Sequence, residues 1–162
     1  MDGLAGAVDQ GFPKLLRWLA ANGIPPAGPP FVRYLVIDSG ARLRVDLGVP
    51  VAGPVTAAVT GPASSNGRVR SGVLPAGRYA VLRHTGPYDG LVAASAALEK
   101  WAAGRGVEFD AWDTPDGRAW RSRVEHYLTD PSAEPDPAKW ETDVAFMTSG
   151  GVSGAGSATD QA

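Results

Sequence analysis

LPAGRYAVLRHTGPYDG, residues 74–90, reads as a strand that runs into a helix. Pro75-Ala76-Gly77 is a turn signal, and residues 78–84 then carry Tyr79, Val81 and Leu82 in the alternation of a half-buried strand. Thr85-Gly86 closes the strand. Pro87 can take the first helical position, where its missing N–H costs nothing, and residues 88–103 continue as an apolar, alanine-rich helix capped around Gly104 and Gly106.

Downstream of this stretch, residues 107–112 form a short apolar link and Thr114-Pro115-Asp116-Gly117 a turn. A strand follows at 120–128, a proline-broken loop at 130–137 and a last strand at 140–147. Upstream, residues 4–22 space Leu4, Val8, Phe12, Leu15, Leu16, Trp18 and Leu19 as one helix face, with Pro13 kinking or restarting the helix. Gly23 is a natural C-cap, and residues 25–30 are too rich in proline to continue a helix. Residues 31–37 are a strand by composition, and Asp38-Ser39-Gly40 is a hairpin turn. Residues 42–51 alternate Leu43, Val45, Leu47 and Val49 with Arg44 and Asp46, as a strand covered on one face does. Residues 55–60 extend the sheet before a loop at 61–67.

A unit of helix, strand and strand is thereby used twice. Trp18 and Gly23 recur as Trp101 and Gly106, and residues 32–38 are echoed by residues 124–130. The second copy has a strand ahead of its helix; in the first copy that leading strand is missing. This divides the chain into a domain over residues 1–148, with copies at about 1–60 and 68–148, and a disordered tail at 149–162 too poor in apolar residues to offset its ordering entropy.

Composition removes several classes of function. The net charge is −2 over 162 residues, with no basic stripe to follow phosphates, so nucleic acid is set aside. There is no cysteine and there are only two histidines, which excludes thiolate metal sites and disulfides and predicts neither metal nor cofactor. No apolar run reaches the length of a membrane span and no signal peptide opens the chain, so a cytoplasmic protein is expected.

The stretch from Pro75 to Asp89, the helix bearing Trp101, Glu125-His126-Tyr127-Leu128-Thr129-Asp130-Pro131 and Trp140-Glu141-Thr142-Asp143-Val144 together resemble the gyrase-inhibitor-like (GyrI-like) small-molecule-binding domain, which is also the effector-binding domain of AraC-type and multidrug-responsive regulators. Residues 11–51 resemble its first half. The resemblance implies an α+β fold of two β-α-β-β units about a pseudo-twofold axis, with antiparallel sheets, two helices on one face and a ligand cleft on the other. It implies a cleft for bulky, apolar, often cationic compounds between aromatic walls, with a carboxylate at its floor, and it implies hydrolysis of electrophilic small molecules by that glutamate in some stand-alone members.

Strand parity approaches the same site from the residues. On 120–128, Trp120, Val124 and Leu128 share a face with Ser122 and His126, and this mainly apolar set should meet the helices. Arg121, Arg123, Glu125 and Tyr127 then share the other face, open to solvent or lining a cleft. Tyr34 and Tyr127 occupy matching places in the two copies, which sets them on opposite walls. A carboxylate beside two tyrosines suits a flat cation, through ring quadrupoles and a partly desolvated negative charge.

The ordinary reading of Glu125 is a solvated strand residue in cross-strand charge pairs; the resemblance favours a ligand anchor. Trp18 and Trp101 read as core, His126 as a core or rim histidine, and His84 as either a ligand contact or a turn-stabilising hydrogen bond. Trp112, Trp120 and Trp140 lie around loops beside the cleft. The leading expectation is a stand-alone protein that binds hydrophobic or cationic small molecules, with Glu125 as countercharge, Tyr127, Tyr34 and Tyr79 as walls, and His84, Trp112 and Trp140 in reach. The alternatives are a hydrolase using Glu125 as general base with Tyr127 donating a proton, and a protein-interaction module. A homodimer through the edge left by the missing strand is a further expectation.

Overall fold

The computed structural model describes residues 2–38, 42–55 and 69–150. Helix α1, Asp2–Ala21, runs through Pro13 as one element, and it ends at Gly23, whose φ of 66° suits a residue without Cβ. Strands β1 (Phe31–Ile37) and β2 (Leu43–Gly48) form the expected hairpin, closed by Asp38 N–H donating to Arg42 O. Strand β3, Tyr79–Thr85, leads through a 3-10 turn at Tyr88–Gly90 into α2, Leu91–Ala103. Strands β4 (Ala111–Thr114), β5 (Gly117–Tyr127) and β6 (Glu141–Met147) complete the sheet.

The sheet is antiparallel throughout, in the order β2-β1-β5-β6-β3, with β4 paired to the start of β5. Its two halves meet along β1 and β5, where Val32 lies opposite Glu125 and Tyr34 opposite Arg123. Strand β2 flanks β1 as β6 flanks β5. Beyond β6 comes β3, whereas among the described residues no strand lies beyond β2, the place of the leading strand missing from the first copy.

Cross-strand pairing aligns Leu47, Val32, Glu125, Val144 and Leu82 in one row on one face of the sheet. Both helices cover that face. A Cβ on Gly11 of α1 would run into the Leu47 side chain, and Phe12 meets Tyr127 edge to face. The α2 residues Leu91, Ala94 and Leu98 pack into a core with Ala80, Trp120, Val144 and Phe146. Each large side chain in that core contributes about 2–3 kcal/mol by leaving water. Among the described residues no helix is long and apolar enough to cross a membrane.

The α+β class, the antiparallel sheet and the two helices on one face are as predicted; the parity of β5 is not. Strand β1 places Arg123 opposite Tyr34 but Ala119 opposite Val36, so β5 accommodates extra residues at a bulge. The bulge changes the phase of the alternation. Trp120 therefore joins Arg123, Glu125 and Tyr127 beneath the helices, while Val124 and His126 point away, His126 lying 5.7 Å from the Phe31 ring. The carboxylate thus stands on the helix-covered face rather than on the opposite one.

Three further expectations change. Trp101 is 45% exposed and carries the Arg105 guanidinium over its ring, because the buried stripe of α2 runs through Leu91, Ala94, Ser95, Leu98 and Ala102 and passes it by. Trp18 is half-buried rather than core. The apolar link at 107–112 ends in β4, which pairs with β5 through a tight turn at Pro115 and Asp116. The predicted sheet extension from residue 56, the loop at 61–67, turn residues 39–40 and the tail from residue 151 lie outside the described residues.

Candidate functional site

Glu125 sits near the end of β5 between Val32 and Val144, and it is only 5% exposed. The phenol hydroxyls of Tyr34 and Tyr127 both donate to its Oε2, at 2.9 and 3.1 Å. One tyrosine comes from each half of the sheet, so the carboxylate is clamped across the β1/β5 seam. Burial among aliphatic neighbours pushes the Glu125 carboxyl above the usual carboxylate range, opposed by the two phenol hydrogen bonds and the nearby Arg123 charge. Burial, reinforced by the Glu125 charge, also pushes both tyrosines upward, so they remain phenols and donors.

Aromatic rings close over this clamp. Tyr127 is met by Phe12 of α1 at 6.0 Å and by Tyr88, at the start of α2, at 5.1 Å, both edge-on. Tyr88 in turn lies 4.7 Å from Trp140, whose indole N–H is fixed to Glu134 O at 2.8 Å. Thr142, opposite Tyr127 on β6, is fully buried and its Oγ1 has no hydrogen-bond partner among the described residues. Such a box offers one desolvated carboxylate, two fixed O–H donors and several π faces. By their chemistry these groups are complementary to a cation or to a hydrogen-bond donor. A single carboxylate is a poor cage for a metal, and the described residues contain no cluster of three metal-ligating side chains.

Of the residues predicted from sequence, Glu125, Tyr127 and Tyr34 come together, and Trp140 joins them through Tyr88. His84 is on the same face, but its Nε2 lies 3.0 Å from Pro87 O, bracing the turn into α2. Tyr79 is on the far face, its hydroxyl donating to Pro75 O. Trp112 is exposed on β4 beneath the Arg121 guanidinium, away from Glu125. Sequence reasoning passed over Phe12, Tyr88 and Arg123. Tyr88 was within the stretch that decides the fold and follows its helix-starting proline; Phe12 had the spacing of an ordinary core residue; Arg123 was read onto the open face.

Arg123 neighbours the clamp on β5. Its guanidinium carbon lies 4.3 Å from the Phe146 ring centroid, 4.8 Å from Trp120 and 5.7 Å from Tyr34. Nη1 donates to Glu99 of α2 at 2.8 Å. Beyond it lies a depression of about 640 Å³ lined by Ile37, Glu99, Ala102, Phe109, Trp120 and Arg123 among others, which stops short of Glu125.

The family profile for the GyrI-like small molecule binding domain matches residues 3–148. No protein in the curated collection matches. Among solved structures, a cryo-EM structure of an EcmrR–DNA complex in EcmrR-RPo superposes with a TM-score of 0.64 at 20% identity, over 90% of this chain and 49% of that one. The chain thus spans about half the length of that protein. A conserved protein of uncharacterised function from Listeria innocua matches at 20% identity over 78% of this chain and 64% of that one, with a TM-score of 0.47. At these identities the first likeness shows a shared fold.

Proposed function

The chain belongs to the family of GyrI-like small molecule binding domains, and from that premise we propose that it binds a bulky, flat, apolar or cationic compound against Glu125. The observation that carries this reading is a buried carboxylate held by Tyr34 and Tyr127 with no ion pair of its own among the described residues. A desolvated charge opposed only by Arg123, with no direct ion pair, is costly to bury, and a cation stacked between the rings would offset that cost. To reach the clamp the ligand would displace Phe12 or Tyr88 from the Tyr127 ring. The test is a titration of wild type and Glu125→Gln with flat cationic dyes, read by tryptophan quenching. Micromolar binding by wild type, weakened about tenfold in the variant, is expected, or roughly 1.4 kcal/mol. Equal affinity in both proteins would remove Glu125 from the site.

A second reading, hydrolysis of an electrophilic small molecule, draws support from the upward-shifted carboxyl beside two intact phenols. Glu125 would take a proton from water as the water attacks, and Tyr127 would donate one to the developing anion. Mass spectrometry decides between them. Product formed by wild type and not by a Glu125→Gln protein that still binds supports turnover; recovery of unaltered compound leaves binding alone.

A further inference from the structure

Arg123 occupies the kind of place the preceding reading reserves for a ligand. Its planar cation lies against Phe146 and Trp120 and within reach of the Tyr34 ring, and Tyr34 is the same side chain that clamps Glu125. The side chain is only 13% exposed, and its buried Nε has no acceptor among the described residues. On its outward side it is paired with Glu99, which is 47% exposed on the outer edge of α2. A guanidinium packed this way is weakly hydrated and stacks well, but an unmatched N–H leaves the arrangement short of full satisfaction.

We propose that Arg123 is a resident cation that competes with the ligand, and that the depression beside α2 is the outer subsite into which a flat organic cation enters, lying on Trp120 and Phe146 when the Arg123 guanidinium swings outward off those rings while keeping its bond to Glu99. This inference rests on the ligand reading above and adds which residue sets the charge preference. The exchange is nearly balanced electrostatically, because a cation faces Glu125 and Glu99 before and after. The depression already adjoins Arg123 and Trp120, so no new opening is needed at that end.

Two substitutions should act in opposite directions. Removing the resident charge should favour a cationic ligand. Removing Glu99 should cost the guanidinium its outward anchor and turn it toward Glu125, strengthening the competition. A neutral ligand of the same shape should feel neither change, since only the charge term is altered.

The experiment uses N-methylphenanthridinium and its neutral parent phenanthridine, titrated at pH 8 into wild type, Arg123→Gln and Glu99→Gln, with thermal melts of each protein. Arg123→Gln is expected to bind the cation about tenfold more tightly and Glu99→Gln about threefold more weakly, each with less than twofold change for the neutral compound. If Arg123→Gln gains equally for both ligands, it has merely made room, and the competition is refuted. If both ligands weaken together, Arg123 is a packing residue. Should Arg123→Gln fail to fold, Glu99→Gln on the helix surface decides alone, and an unchanged cation-to-neutral ratio there overturns the proposal. Failure of wild type and both variants to bind either compound would sink the ligand reading itself, whereas binding without a shift in ratio sinks only the role of Arg123.

Discussion

Glu125 is the residue in which stability and the proposed binding would pull against each other. Its carboxyl is shifted upward mainly by burial, so between the ordinary carboxylate range and the shifted value the folded protein holds a proton that the unfolded chain has released. Stability contributed by that proton is complete below the unfolded value and is lost as pH rises through the folded one. Glu125→Gln keeps an acceptor for the Tyr34 and Tyr127 hydroxyls while removing the buried charge. At neutral pH it should therefore be more stable than wild type by about 1 kcal/mol, with a flatter dependence on pH. Melting temperatures across pH 4–8 (roughly the span in which carboxylates and histidines titrate) check this; a variant that melts lower at neutral pH would show that the charge is well accommodated. His126 contributes with the opposite sign, since burial holds it below its usual value and its share of stability is lost as pH falls. The same titration should appear in binding: a cation gains affinity as pH rises and Glu125 ionises, while a neutral ligand does not.

At the level of elements, strands β1, β5 and β6 and helix α2 could be read from alternation, apolar spacing and proline placement, because each is long enough for its period to show. The bulge in β5 could not. Nothing in Arg118-Ala119-Trp120-Arg121-Ser122-Arg123 announces that three residues, Trp120 to Ser122, will face one, Leu35, since that register is dictated by β1 and β4 pairing on either side. A parity argument carried across such a point reverses, and so it places the Glu125 carboxylate on the face opposite to the one it occupies. Strand β4 was hidden for a related reason: four residues are too few to declare a period, and it exists because β5 turns back on it. Gly117 makes that turn possible. It has a φ of 120°, and a Cβ there would sit 2.5 Å from Ile37 O and 2.7 Å from Asp38 Cα, at the end of β1. Gly117→Ala should cost about 2–3 kcal/mol or more, through strained backbone and displacement of the strand bearing Tyr34. Gly106→Ala, also at positive φ but with nothing within 4 Å of its Cβ, should cost only about 1 kcal/mol. Chemical denaturation of the pair measures the difference, and equal losses would mean that the approach to β1 is not what demands glycine.

For the molecule as a whole the legible feature is the repeat, which sets Tyr34 and Tyr127 at matching places, and the two phenols meet on Glu125 from the two halves. What it could not show is the approach of the helices: Phe12 and Tyr88 come from segments remote in sequence and both reach Tyr127 only because α1 and α2 lie on the same face of the sheet. This arrangement would make a ligand seated at the proposed site a cross-link between halves. Tyr34 and Phe12 belong to the first, Glu125, Tyr127 and Tyr88 to the second, and a compound seated among them would tie α1 and β1 to α2 and β5. A ligand that binds only the folded state at one hundred times its Kd adds about 2.7 kcal/mol to stability. If the binding site spans the seam, that protection must reach both halves. Hydrogen exchange with and without a saturating cationic dye should show slowed amides in α1 and β1 together with α2 and β5, with the slowing in α1 abolished by Phe12→Ala. Protection confined to α2, β5 and β6 would place the ligand in the second half alone, and would separate the clamp on Glu125 from the binding of the compound.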